Sequence, residues 1–251
     1  MRLLIVLLSA LLGGALVQAS DTAKEQRWAD QIVDALLDGE AVWLEDDGHE
    51  FLSIFTEAEE ASDRAMIVVH GTGVHPDWDQ VVKPVRVQMT GRGWSTLSIQ
   101  MPILANEAGY EEYVPLYPEV PGRFRAAEAF LQDKGYTDIV IVAHSQGASM
   151  SAYYLANNAS TARAFVAIGM GATQADEHIN SANALAKIKL PVLDLYGSND
   201  LDSVLDTVEK RAAAAAENKA YRQQRVDGAE HFFDGKNSEL IEAIDQWLEN
   251  S

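Results

Sequence analysis

From residue 64 onward the sequence alternates short apolar runs with stretches of helical period, and that alternation admits few folds. Apolar runs at 65–70, 95–101, 138–143, 164–168, 191–196 and 221–226 read as strands. Between and after them, helical patterns fall near 79–91, 123–134, 145–157, 175–187, 203–217 and 238–248. Consecutive strands that each wait for a helix are parallel neighbours, because a parallel pair needs a long crossover. The expected class is therefore α/β, with a mostly parallel, doubly wound sheet and helices on both faces. Ahead of it, 41–45 and 50–56 flank Asp46-Asp47-Gly48, a tight-turn signal, so the sheet should start with an antiparallel hairpin. A helix over 25–37, with Trp28, Ile32, Val33, Leu36 and Leu37 at helical spacing, precedes the hairpin. No repeat or linker divides residues 20–251, which read as one domain.

Residues 1–19 have the form of a secretory leader: Arg2, an apolar run over 3–16, then Val17-Gln18-Ala19 as a small-residue cleavage site. The apolar run is shorter than the roughly 20 residues of a spanning helix, so cleavage before Ser20 and no stable membrane insertion are expected. The chain contains no cysteine, which removes disulfides, thiolate catalysis and a lipid-anchored amino terminus. A periplasmic or secreted bacterial protein fits. Loss of Arg2 leaves 18 Lys+Arg against 38 Asp+Glu, a net charge of −20. A field of that sign repels phosphate backbones and anionic headgroups, so nucleic acid is a poor candidate partner and none is expected. It sets no oligomeric state.

The chemistry lies in Ala143-His144-Ser145-Gln146-Gly147, where a buried strand meets a helix. A serine there occupies a sharp turn that lifts its hydroxyl clear of the sheet and aims its neighbour's N–H into the site. Small residues must flank the turn because strand and helix backbones nearly touch; Ala143 and Gly147 meet that need. A serine is a weak nucleophile without a base, and the base needs a partner to fix its tautomer. Later strands supply both: 191–196 runs into Gly197-Ser198-Asn199-Asp200, and 221–226 into Asp227-Gly228-Ala229-Glu230-His231. Asp200 and His231 are 31 positions apart, room for one helix and one strand. Asp202 is the competing acid.

This arrangement resembles the α/β-hydrolase superfamily, in which the order is serine, acid, histidine and the elbow reads Gly-x-Ser-x-Gly; Ala143 stands here for the first glycine. The resemblance covers residue 65 to the end, and implies Ser145, Asp200 and His231 as a catalytic triad. His70-Gly71-Thr72-Gly73, at the end of the first parallel strand, resembles the superfamily's oxyanion loop; Thr72 and Gln146 are thereby implied as the two backbone donors. Together with His75-Pro76-Asp77-Trp78 and the run 93–100, these motifs are most similar to an exported bacterial family of unknown function. The implied activity is a serine hydrolase of carboxylic esters, acting on a small-molecule or envelope substrate without a cofactor. A catalytically inactive binding or envelope-maintenance protein on the same fold is the alternative.

Three features stay open to two readings. His70, His75, Asp77 and Asp79 could form a metal cluster, but their spacing fits no compact metal motif, and no metal is expected. His75 and Trp78 stand where they could line the substrate side, or pack on the neighbouring helix. The stretch 102–121, with Tyr110, Tyr113 and Tyr117, is too long for an ordinary connection; it is either a cap over the site or a loop whose tyrosines pack on the body.

Overall fold

The computed structural model describes residues 20–251. The leader expected over 1–19 lies outside them. After helix α1 (Thr22–Ala35) come strands β1 (Glu40–Asp46) and β2 (His49–Thr56), joined by Asp47 and Gly48, both at positive φ as a tight hairpin turn requires. Then follow β3 (Arg64–Val69), α2 (Val82–Gln88), β4 (Ser95–Ile99), a 3-10 segment (Tyr110–Glu119) leading into α3 (Val120–Asp133), β5 (Asp138–His144) and α4 (Gln146–Asn157). The last part comprises β6 (Ala164–Ile168), α5 (Ser181–Leu185), β7 (Val192–Asn199), α6 (Asp202–Leu205), α7 (Val208–Ala214), β8 (Tyr221–Glu230) and α8 (Asn237–Leu248).

The eight strands form one sheet in the order β1-β2-β4-β3-β5-β6-β7-β8. β1, β2 and β4 pair antiparallel, and every pair from β4 to β8 is parallel. The apolar runs of β3, β5 and β6 are continuous because both faces of the sheet are covered there. Successive side chains divide between two cores: Ala65, Ile67 and Val69 of β3 pack with α3 and α4, and Met66 and Val68 with α2 and α8. On the first face Phe124 stacks on Tyr154, ring centroids 4.6 Å apart.

Three expected helices are shorter than their sequence patterns, each for a local reason. α2 starts at Val82 because Pro84, which lacks an N–H and crowds the preceding turn, is tolerated only in a first turn. The pattern at 175–187 shrinks to α5: Asp176 Oδ1 accepts from the His178 N–H (2.8 Å) and ring (2.6 Å), giving the backbone a competing partner. The pattern at 203–217 splits into α6 and α7 around Thr207, whose hydroxyl donates back to the Ser203 (2.8 Å) and Val204 (3.1 Å) carbonyls.

Strands β7 and β8 run three to four residues past their expected ends, with a register shift between Gly197 and Asn199 and a final pairing of Asn199 with Glu230. The next residue on each strand is Asp200 or His231, so the paired ends deliver the two side by side. A Cβ at Gly197 would sit 2.3 Å from the Ala229 carbonyl oxygen, so only glycine permits this approach.

Candidate active site

Ser145 has φ 55° and ψ −122°, a left-handed conformation that an L-residue adopts only when its surroundings impose it. The Ser145 N–H donates to the Ile168 carbonyl (2.8 Å), and Gly71 and Gly147 let the His70-Gly71 backbone close over the turn. A Cβ on Gly71 would lie 2.9 Å from the Ser145 Cβ. Ala143, in place of the superfamily's first glycine, is buried within the core.

Three side chains from the ends of β5, β7 and β8 form one hydrogen-bonded line. The Ser145 hydroxyl donates to His231 Nε2 (2.9 Å), and His231 Nδ1–H donates to Asp200 Oδ1 (2.6 Å). Asp200 also accepts the N–H groups of Leu201 (2.8 Å) and Gly197 (3.2 Å). Burial pushes the Asp200 carboxyl up, but the His231 hydrogen bond and charge, with those two amides, hold its pKa below the ordinary value. Asp202, the competing acid, is exposed as the first residue of α6.

The loop that follows β3 is fixed from three sides. His70 Nδ1–H donates to the Gly71 carbonyl (2.9 Å), and its Nε2 accepts the Met101 N–H (2.9 Å) and a Gln100 amide proton (3.0 Å). Tyr113 Oη accepts the Gly73 N–H (3.2 Å), and the Thr72 hydroxyl donates to Gln146 Oε1 (2.5 Å). That last bond ties the loop after β3 to the first residue of α4. Gln146 opens α4, where a helix start leaves backbone donors without intrahelical partners. Burial drives the His70 pKa down to about 3, so its ring stays neutral and serves as a strut.

A cavity of about 430 Å³ opens over Ser145 and His231. Val74, Leu201, Val204 and Phe232 give it an apolar wall, Gly169 and Gly171 an unencumbered floor, and Tyr110 and Glu111 one rim. Of the side chains the sequence offered as lining, Tyr110 reaches this cavity, its hydroxyl bonded to Ser149 (2.6 Å) and its pKa pushed up to about 12 by burial. The other four stand elsewhere, which corrects the sequence reading. His75 sits edge-on between Trp28 and Trp78, centroids 5.3 Å from each, and Trp78 packs on the second core. Tyr113 and Tyr117 belong to the first core. The segment 110–119 is thus anchored by buried residues and shows the cavity only its first two.

Sequence reasoning did not single out Gly169, Leu201 or Phe232, and read His144 only as a residue that shapes the elbow. His144 donates from Nε2 to the His231 carbonyl (2.9 Å), its ring 4.8 Å from that of His231; burial and the neighbouring His231 lower its pKa to about 3. Gly169 has φ 60°, and a Cβ there would meet the His231 ring at 3.0 Å. Leu201 and Phe232, 51% and 37% exposed in the cavity lining, follow Asp200 and His231 in the chain, the one signal that could have found them. Among the described residues no group of three or more His, Asp or Glu side chains could hold a metal ion, and no helix is long and apolar enough to cross a membrane.

The sheet order, the elbow and the strand-end line of serine, histidine and aspartate define an α/β-hydrolase fold. Solved structures share it: Est1E from Butyrivibrio proteoclasticus (TM-score 0.64, 15% identity, covering 84% of this chain and 98% of that one). Dienelactone hydrolase from Anabaena variabilis (0.65, 19%, 84% and 96%) and XC6422 from Xanthomonas campestris, described as an a/b serine hydrolase without lid (0.66, 15%, 85% and 94%), do so too. No curated protein matches the sequence. The chain belongs to the family described as "Protein of unknown function (DUF3530)", whose model matches residues 1–115 and 115–250.

Proposed function

We propose that the protein is a serine hydrolase of carboxylic esters with an uncharged, apolar acyl group, working in the bacterial periplasm or outside the cell. The observation that carries the reading is the hydrogen-bonded line from Ser145 through His231 to Asp200, set at a strained elbow beneath a largely apolar cavity. Ser145 Oγ attacks the ester carbonyl carbon while its proton passes to His231 Nε2. Asp200 keeps the other ring nitrogen protonated and stabilises the imidazolium that forms. The carbonyl oxygen, now negative, accepts from the Thr72 and Gln146 backbone N–H groups; each such donor contributes about 3–4 kcal/mol to a transition state of this kind. Collapse breaks the C–O bond to the alcohol, which leaves with the proton from Nε2. Water then repeats the sequence on the acyl-enzyme and releases the acid.

The test is labelling with a fluorophosphonate probe, comparing the wild type with Ser145→Ala and His231→Ala. Labelling of the wild type alone, with turnover of p-nitrophenyl esters, is expected. A folded wild type that does not label would overturn the reading and favour a binding protein.

A further inference from the structure

The start of α1 is held by an unusual density of bonds. Ser20, 9% exposed, forks onto both oxygens of one carboxylate: its backbone N–H donates to Glu119 Oε1 (3.2 Å) and its hydroxyl to Glu119 Oε2 (2.7 Å). The Asp21 N–H donates to the Ile103 carbonyl (2.7 Å), the Asp21 side chain caps the helix at the Lys24 N–H (2.9 Å), and Lys24 Nζ donates to the Leu104 carbonyl (2.6 Å). Glu119 is the last residue of the segment whose first two, Tyr110 and Glu111, form the cavity rim.

We propose that cleavage of the Ala19–Ser20 bond converts this buried amide into an α-ammonium paired with Glu119, so that processing completes the anchoring of α1 and of the segment 110–119. The proposal does not rest on the hydrolase reading. A leader peptidase accepting small residues adds water across the bond: the C–N bond breaks, a C–O bond forms at the Ala19 carbonyl carbon, and the released acid gives up a proton as the Ser20 nitrogen gains one. One neutral donor becomes three charged ones. Hydrogen bonds from a charged donor to a carboxylate are about twice as strong as neutral ones. A pair this sheltered also escapes most of the screening that weakens surface ion pairs. Other charged groups near this end include Asp21, Lys24 and Arg27 on α1, Glu107 in the facing connection, and Glu25 of α1 with its partners Arg123 of α3 (2.9 Å) and His49 of β2 (3.1 Å).

The experiment expresses the full-length chain with export in a bacterial host, takes the intact mass of the product, and follows its α-amine by NMR after ¹³C reductive methylation, which preserves the charge. The expected result is a chain beginning at Ser20 whose α-amine titrates roughly one unit above the same group in the urea-unfolded chain, the upward shift disappearing in Glu119→Gln. A product that begins elsewhere, or an α-amine that titrates alike in folded and unfolded chains, overturns the proposal. Should E119Q fail to fold, the wild-type titration decides alone. Because neither readout involves turnover, its failure is distinguishable from failure of the functional reading.

Discussion

Gly147→Ala puts the geometry of the elbow to a quantitative test. The added Cβ would lie 2.2 Å from the His70 carbonyl oxygen, 2.9 Å from its carbon and 3.0 Å from Val69 Cγ1. The first of these is about 1.2 Å short of the 3.4 Å at which ordinary contact begins. Neither side yields cheaply, since His70 is bonded at both ring nitrogens and the Ser145 N–H is bonded to Ile168. The substitution must therefore part the oxyanion loop from the start of α4 by about an ångström, separating the Thr72 and Gln146 donors. Misplacement of that size at a reacting centre costs on the order of 10²-fold in rate. Overpacking of the core adds about 1–3 kcal/mol of lost stability. The assay is kcat/KM on p-nitrophenyl butyrate together with the fluorophosphonate labelling rate, each beside a calorimetric Tm. Gly91→Ala is the control, because the nearest atoms to its Cβ would be those of the Glu59 carboxylate, at 3.4–3.8 Å, ordinary contact. A folded Gly147→Ala variant with kcat/KM within threefold of wild type would refute the claim that this close approach fixes the donors.

Asp200→Asn removes the charge that holds His231 in its tautomer, and kcat should fall on the order of 10³–10⁴-fold with little change in KM, read from initial rates. His70 and His144 are buried with pKa values near 3 against the ordinary 6.5, so below pH 6.5 the unfolded chain takes up protons that the folded chain refuses. Stability is then lost as pH falls, with a slope for each histidine that grows from about 0.7 kcal/mol per pH unit at pH 6.5 toward about 1.4 at pH 5, visible as a falling urea midpoint across that range. Glu111→Lys reverses the charge at the cavity rim, and the rate on a p-nitrophenyl hemisuccinate relative to the butyrate should rise roughly three- to tenfold at low salt. No change in that ratio would remove Glu111 from the selection of substrates.

The sheet was legible because its central strands are buried on both faces and so read as uninterrupted apolar runs, and the elbow because few contexts put Ser-Gln-Gly between such a strand and a helix. The spacing of Asp200 and His231 was legible for the same reason, each following a recognisable strand. What could not be read was set by partners distant in the chain. Asp227 to Glu230 look like loop, yet they continue β8 across a register shift to the Asn199–Glu230 pair, because Gly197 on β7 lets the Ala229 carbonyl approach. His75 and Trp78 resemble a polar-aromatic binding loop, but the His75 ring sits edge-on between Trp78 and Trp28, the latter some fifty residues earlier. Tyr113 and Tyr117 carry no periodic signal that separates core from cavity, since a 3-10 segment crossed by Pro115 and Pro118 follows neither helical nor strand period. His144 acts on a carbonyl 87 positions away, a relation that exists only once the sheet has formed.

The strand carrying the base is the last of the eight and lies at the sheet's edge. The Ser145–His231 hydrogen bond spans 86 positions, so on the proposed reading the serine of a chain still being synthesised has no base until residue 231 has been added. Reactivity is therefore timed to the end of assembly. On the same reading, an intermediate stalled short of β8 does not turn over the esters around it.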